Sequence, residues 1–194
     1  EQLITAQGEF RTAVELQPGG KFVACVVAKS EVVVLSVQND SEVFRGDTKG
    51  PCFGLCWSPD GKLLALCLNP TGVRLISVDK GFKDEKTLLD GECVLSCCFD
   101  HCTAQFAAGT NSGQLTVFDT MSWTVKCVVE VGTSVWAVCF NWGRDRVAFA
   151  DGDDHKVGVL SIAADGAGRM EEIMWKVNAF CDLQYSPDDN FLLC

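Results

Sequence analysis

Twelve cysteines and two histidines are the side chains of this 194-residue chain with most scope for chemistry. The densest group is Cys93, Cys97, Cys98, His101 and Cys102. A zinc site needs four sulfur or nitrogen ligands converging on a tetrahedron. Cys97 and Cys98 are neighbours on an expected strand, so their side chains leave opposite faces. That leaves Cys93, Cys98, His101 and Cys102 within reach of one ion, with no paired C-x-x-C motif to hold it. The simpler reading is core thiols beside a turn histidine, and no metal is expected. Asp151-Gly152-Asp153-Asp154-His155 has the oxygens calcium takes, but lacks the EF-hand spacing and its distal Glu. It falls where a connecting turn belongs, and turns favour Asp and Gly. Cys nucleophilic chemistry needs a neighbour that favours the thiolate, and Cys102 beside His101 is the one local candidate. No G-x-S-x-G elbow, P-loop or G-x-G-x-x-G fingerprint occurs. Neither an enzyme nor a bound cofactor is expected.

The elements that position these residues repeat. The phrase Leu16-Gln17-Pro18-Gly19-Gly20 returns as Trp57-Ser58-Pro59-Asp60-Gly61 and as Tyr185-Ser186-Pro187-Asp188-Asp189. Weaker copies stand at Phe99-Asp100-His101 and Phe140-Asn141-Trp142-Gly143. The first residues of these five phrases are 41, 42, 41 and 45 residues apart. A period of roughly 40–45 residues marks supersecondary units that stack on one another. Cys56, Cys98 and Cys139 each precede one of these anchors. A small inward slot in successive repeats suits a free thiol acting as a small hydrophobe, which implies a reducing compartment.

Each repeat reads as four short strands, because apolar, β-branched runs are bounded by Gly, Pro, Asn and Asp. The expected strands are 10–16, 21–28, 32–37 and 42–45; then 52–57, 62–68, 73–78 and 86–89. The third copy gives 93–99, 103–109, 114–119 and 124–130, and the fourth 134–140, 146–150, 156–162 and 171–175. A fifth copy opens with 179–185, and residues 163–169 read as a surface insertion. No useful stretch shows the 3.6-residue period of a helix.

Composition narrows function. Hydrophobic residues make up 47% of the chain and charged residues 22%, which is globular composition. The net charge of −10, with no dense basic cluster, speaks against nucleic acid and toward a basic partner. No apolar run approaches the roughly 20 residues of a membrane-spanning helix, and Glu1 does not open a secretory signal. Membrane insertion is not expected, and the location is taken as cytoplasmic, with the nucleus as the alternative.

At the third copy a family resemblance becomes specific. Phe106-Ala107-Ala108-Gly109-Thr110-Asn111-Ser112-Gly113-Gln114-Leu115-Thr116-Val117-Phe118-Asp119 resembles the second half of a WD40 repeat, with Phe118-Asp119 where that family has Trp-Asp. The Ser-Pro-Asp turns after Trp57 and Tyr185 are similar to the same family. The departures are the missing Gly-His dipeptide and Ser36-Val37, Ser77-Val78 and Ser161-Ile162 in place of Trp-Asp. The resemblance implies an all-β, WD40-type propeller of four-stranded antiparallel blades in one domain. The blades are expected at 10–46, 51–90, 92–131, 133–176 and, incomplete, 178–194. About four and a half blades are then present, so the chain is read as part of a larger, seven-bladed ring.

The same resemblance places residues four and six before each anchor on the top rim, where partners of such propellers bind. Phe10, Phe53, Leu95 and Trp136 would form an apolar crescent there. The expected function is a non-catalytic scaffold for other proteins or peptide segments, a subunit of a larger assembly, with the remaining blades of its own chain among the partners. An enzyme or metal-dependent module on the cysteine-rich third blade is one alternative. A regulatory propeller acting on a GTPase or coat complex is another.

Overall fold

Alternate apolar residues on one strand must bury two opposite faces when a sheet is stacked on both sides. The strand Leu63–Leu68 does this, with Leu64, Leu66 and Leu68 in one core and Ala65 and Cys67 in the next. The computed structural model describes residues 13–152, 156–163, 166–176 and 182–194, with backbone only for 172–176. Phe10 and His155 lie outside the described residues.

Four antiparallel sheets follow in chain order. The first contains β1 (Val14–Leu16), β2 (Phe22–Val26), β3 (Glu31–Ser36) and β4 (Glu42–Asp47). The second contains β5 (Cys52–Trp57), β6 (Leu63–Leu68), β7 (Gly72–Ser77) and β8 (Lys83–Leu88). The third contains β9 (Val94–Phe99), β10 (Gln105–Thr110), β11 (Gln114–Asp119) and β12 (Val125–Glu130). The fourth contains β13 (Val135–Phe140), β14 (Arg146–Asp151), β15 (Lys156–Ile162) and β16 (Gly168–Lys176). A two-stranded fifth sheet pairs β17 (Gln184–Tyr185) with β18 (Leu192–Leu193). The described residues include no helix.

Each sheet is a propeller blade whose first strand is innermost, and the cores lie between blades. Val32 and Val34 of the first blade meet Leu64, Leu66 and Leu68 of the second. Ala65, Cys67 and Leu75 meet Phe106, Ala108 and Phe118 of the third. Ala107, Leu115 and Val117 then meet Val147, Phe149 and Leu160 of the fourth. Ala148, Ala150 and Val159 cover Leu183 and Tyr185 of the fifth. The propeller is not closed: among the described residues no strand pairing joins the first sheet to the last.

The repeated phrase folds the same way in the second and fifth blades. Ser58 Oγ donates to Asp60 Oδ1 at 2.6 Å and accepts from Leu63 N at 2.9 Å. Ser186 Oγ donates to Asp188 Oδ1 at 2.6 Å and accepts from Phe191 N at 3.0 Å. Gly61 closes the first turn at φ +70°, and Asp189 closes the second at φ +58°. Asp tolerates this left-handed region better than most side chains. These turns also latch neighbouring blades. Gln17 Nε2 donates to the Gly61 carbonyl at 2.6 Å, and Gln105 Nε2 to the Arg144 carbonyl at 2.8 Å.

Two expected boundaries are corrected. The outer strand of the second blade begins at Lys83, not at 86. Its first five residues are exposed, so its polar side chains carry no burial signal that separates it from a loop. Residues 168 and 169 belong to β16 rather than to an insertion, since Ser161 pairs with Arg169 and Ile162 with Gly168. Backbone contacts between Ala163 N and the Ala167 carbonyl, and between Gly166 N and the Ala163 carbonyl, both 2.9 Å, close a short hairpin there.

Candidate functional site at the mouth of the inner strands

The inner strands β1, β5, β9 and β13 stand side by side and border one concave cavity of about 330 Å³. Phe53, Leu95 and Trp136 all line it. Each is the second residue of its inner strand. Each is also skipped by the ladder. Cys52 pairs with Leu68 and Gly54 with Cys67, leaving Phe53 opposite nothing. Val94 pairs with Thr110 and Ser96 with Gly109, leaving out Leu95. Val135 pairs with Asp151 and Ala137 with Ala150, leaving out Trp136. A β-bulge adds one unpaired residue to a strand, bends it and re-aims a side chain. Three successive blades therefore carry the same bulge at the same place.

The three side chains differ in exposure. Phe53 and Trp136 are half-buried, whereas Leu95 is only 5% exposed. Trp136 is held in place on two sides. Its Nε1 donates to Ser134 Oγ at 2.9 Å. Its ring lies over Gly152, where an added Cβ would fall 1.8 Å from Cδ1 and Nε1. Asp151 fixes the strand start beneath it, accepting from Thr133 Oγ1 at 2.9 Å and Ser134 N at 3.3 Å. The buried Asp151, read above as a conceivable calcium ligand, thus serves as a cap for backbone and hydroxyl donors.

The cavity is acidic. Among the described residues Glu15 and Asp182 line it, and no Lys or Arg does. Glu15 titrates above the ordinary glutamate range, chiefly because the surrounding protein desolvates it and also because Asp182 repels its charge. A cationic group bound beside them would favour their ionised forms and offset the repulsion.

The cysteine-rich group is not gathered into a ligand set. Among the described residues no group of three or more His, Cys, Asp or Glu is arranged to hold a metal ion. Cys97 packs toward the second blade and Cys98 toward the fourth, on opposite faces of β9. His101 rests its ring on Trp142, with centroids 4.8 Å apart, and Cys102 is exposed. Cys56, Cys98 and Cys139 each face the following blade, in the same slot. They are half-buried rather than fully buried as expected. Burial nevertheless pushes the Cys98 thiol well up and that of Cys139 to about 12.

Sequence spacing placed Phe53, Leu95 and Trp136 at equivalent positions but did not show the bulges or the Glu15–Asp182 pair. The paired residues that reveal a bulge lie on the next strand, and Glu15 and Asp182 belong to blades far apart in the chain.

No family model matches the chain, and no curated protein matches it in sequence. Among solved structures it is similar to the β-propeller domain of Cps50 (Swd1) from Myceliophteria thermophila, with a TM-score of 0.69 and 11% sequence identity. The match covers 83% of this chain and 57% of that one, so the chain spans a little over half of that propeller's length.

Proposed function

We propose that the chain is a divergent WD40-type propeller segment that acts as a non-catalytic interaction scaffold and binds peptide segments of other proteins at the mouth of its inner strands. The observation that carries this reading is the thrice-repeated bulge, which turns Phe53, Leu95 and Trp136 toward one cavity. A half-buried Trp beside acidic groups suits a partner segment with an apolar side chain and a neighbouring Lys or Arg. The net charge of −10 favours the same basic partner over long range. The similarity to a β-propeller domain supports the scaffold class.

A role as one subunit of a larger assembly fits the two open ends of the arc. Val14, Leu16, Val37 and Val43 are exposed on the first blade, and Phe191 and Leu193 on the fifth. Unpartnered faces of stacked repeats call for further blades, and the rest of the parent polypeptide is their proposed source. Among the described residues no two cysteines form a disulfide, which supports a reducing location, the cytosol or nucleus.

The test is binding of full chain and Trp136→Ala to an immobilised peptide library graded in positive charge and aromatic content. A hot-spot Trp is worth about 2 kcal/mol or more. Peptides captured by the full chain should therefore weaken about 30-fold in the variant. Equal binding by a folded Trp136→Ala variant would exclude this face.

A further inference from the structure

Consecutive inner strands meet through two positions, the residue before one anchor and the residue two before the next. The repeat therefore brings Cys56 to Cys97, Cys98 to Val138 and Cys139 to Leu183. Of these position pairs, the one at the junction of the second and third blades sets thiol against thiol. Cys56 Sγ and Cys97 Sγ are 3.2 Å apart, across a separation of 41 residues, which is one repeat. A disulfide holds its sulfurs about 2.05 Å apart, so closure needs an approach of about 1 Å. Cys97 also lines the cavity at the mouth of the inner strands and the sulfur pair is part-buried, so the cavity is the side from which a small reagent would approach. Cys67, fully buried in the same core, adds a third thiol behind the pair.

We propose that Cys56 and Cys97 are a redox modification site: a small-molecule disulfide of the glutathione type oxidises them to a disulfide that staples the second blade to the third. The step balances. The Cys97 thiolate attacks one sulfur of the oxidant and expels a small thiolate, leaving a mixed disulfide on Cys97. Cys56 then attacks Cys97 Sγ as a thiolate and expels the second small thiol. Two protein thiols become one disulfide, and one small disulfide becomes two thiols, by the ordinary exchange mechanism. Burial holds the Cys56 thiol well up; at Cys97 the hydrogen bond from Cys56 favours the thiolate, but the contact with Cys67 and burial outweigh it, so both thiols rest protonated and exchange is slow without excess oxidant. A reversible disulfide is also the form that disulfides usually take in a reducing compartment. The staple would tie together two strands that carry Phe53 and Leu95, fixing part of the cavity wall.

The test uses the full chain, incubated natively with excess oxidised glutathione, quenched with an alkylating reagent, and mapped by peptide mass spectrometry. The expected result is one Cys56–Cys97 cross-link, a loss of about 2 Da for the two hydrogens, and full reversal by dithiothreitol. In Cys56→Ser the same treatment should leave a stable glutathione adduct on Cys97, because the resolving thiol is gone. The mapping of the unaltered chain decides the matter without any variant. Cys56 and Cys97 still alkylatable after treatment would overturn the proposal. So would cross-links that join Cys98 to Cys139 or either thiol to Cys67 in place of the pair, or a glutathione adduct that persists on Cys97 with Cys56 present.

Discussion

Gly152→Ala probes how Trp136 is held in the site without changing Trp136 itself. The new Cβ would stand 1.8 Å from Trp136 Cδ1 and Nε1 and 2.8 Å from Ser134 Oγ. Carbon contacts are comfortable only beyond about 3.5 Å, so the indole must retreat by about 1.7 Å or more. The clash is with the body of a ring, not with the tip of a flexible chain, so a small torsional adjustment does not relieve it. Overpacking of this kind costs about 1–3 kcal/mol. Retreat also breaks the bond from Trp136 Nε1 to Ser134 Oγ, worth about 1 kcal/mol. The stiffer unfolded chain returns about 0.4–1 kcal/mol. The net expectation is a destabilisation of about 1–3 kcal/mol, read from urea unfolding, with an altered near-ultraviolet dichroism from the displaced indole. The same change made in a Trp136→Ala background should be neutral or mildly stabilising, because the obstacle is gone. An equal loss in both backgrounds would show that the Trp136 contact is not its source, and the account of how Trp136 is held would fail.

Three further outcomes follow from the packing. Phe106 is fully buried among the rings of Phe99, Phe118 and Trp123, so Phe106→Ala should cost about 3–5 kcal/mol in urea unfolding. Asp189 accepts from Trp142 N at 2.6 Å, Gly143 N at 2.8 Å and Asn141 Nδ2 at 3.0 Å. Burial works to raise its titration, but these donors prevail and hold it below the ordinary aspartate range. Its contribution is then fully present above about pH 4, the unfolded value, and is lost as pH falls through the lower folded value. Asp189→Asn should flatten that acid-side loss in pH-dependent unfolding curves, and an unchanged curve would count against the latch. Native alkylation should label the exposed Cys102 and Cys194 first, with Cys67 last because it is fully buried; early labelling of Cys67 would contradict the blade packing.

Local chemistry alone was enough for much of this architecture. A period of 41 to 45 residues, turn phrases such as Ser58-Pro59-Asp60-Gly61 and alternation within 62–68 specify four-stranded repeats, because strand pairing and burial act on neighbouring residues. They specify outer strands less well. Lys83–Glu85 are polar on both faces and owe their strand to pairing with β7, which no local pattern records. The equivalence of Phe53, Leu95 and Trp136 was also legible, because it is a count from each anchor. Their exposure was not: Leu95 is buried while Phe53 and Trp136 are half-open. The bulges need a partner strand to define them, and the acidic cavity needs Glu15 and Asp182 from the two ends of the arc. The cysteines divide in the same way. Alternation on β9 already sends Cys97 and Cys98 to opposite faces, since successive side chains on a strand must alternate. That Cys97 then finds a sulfur, while Cys98 packs near Val138, is decided only when one blade is set against the next.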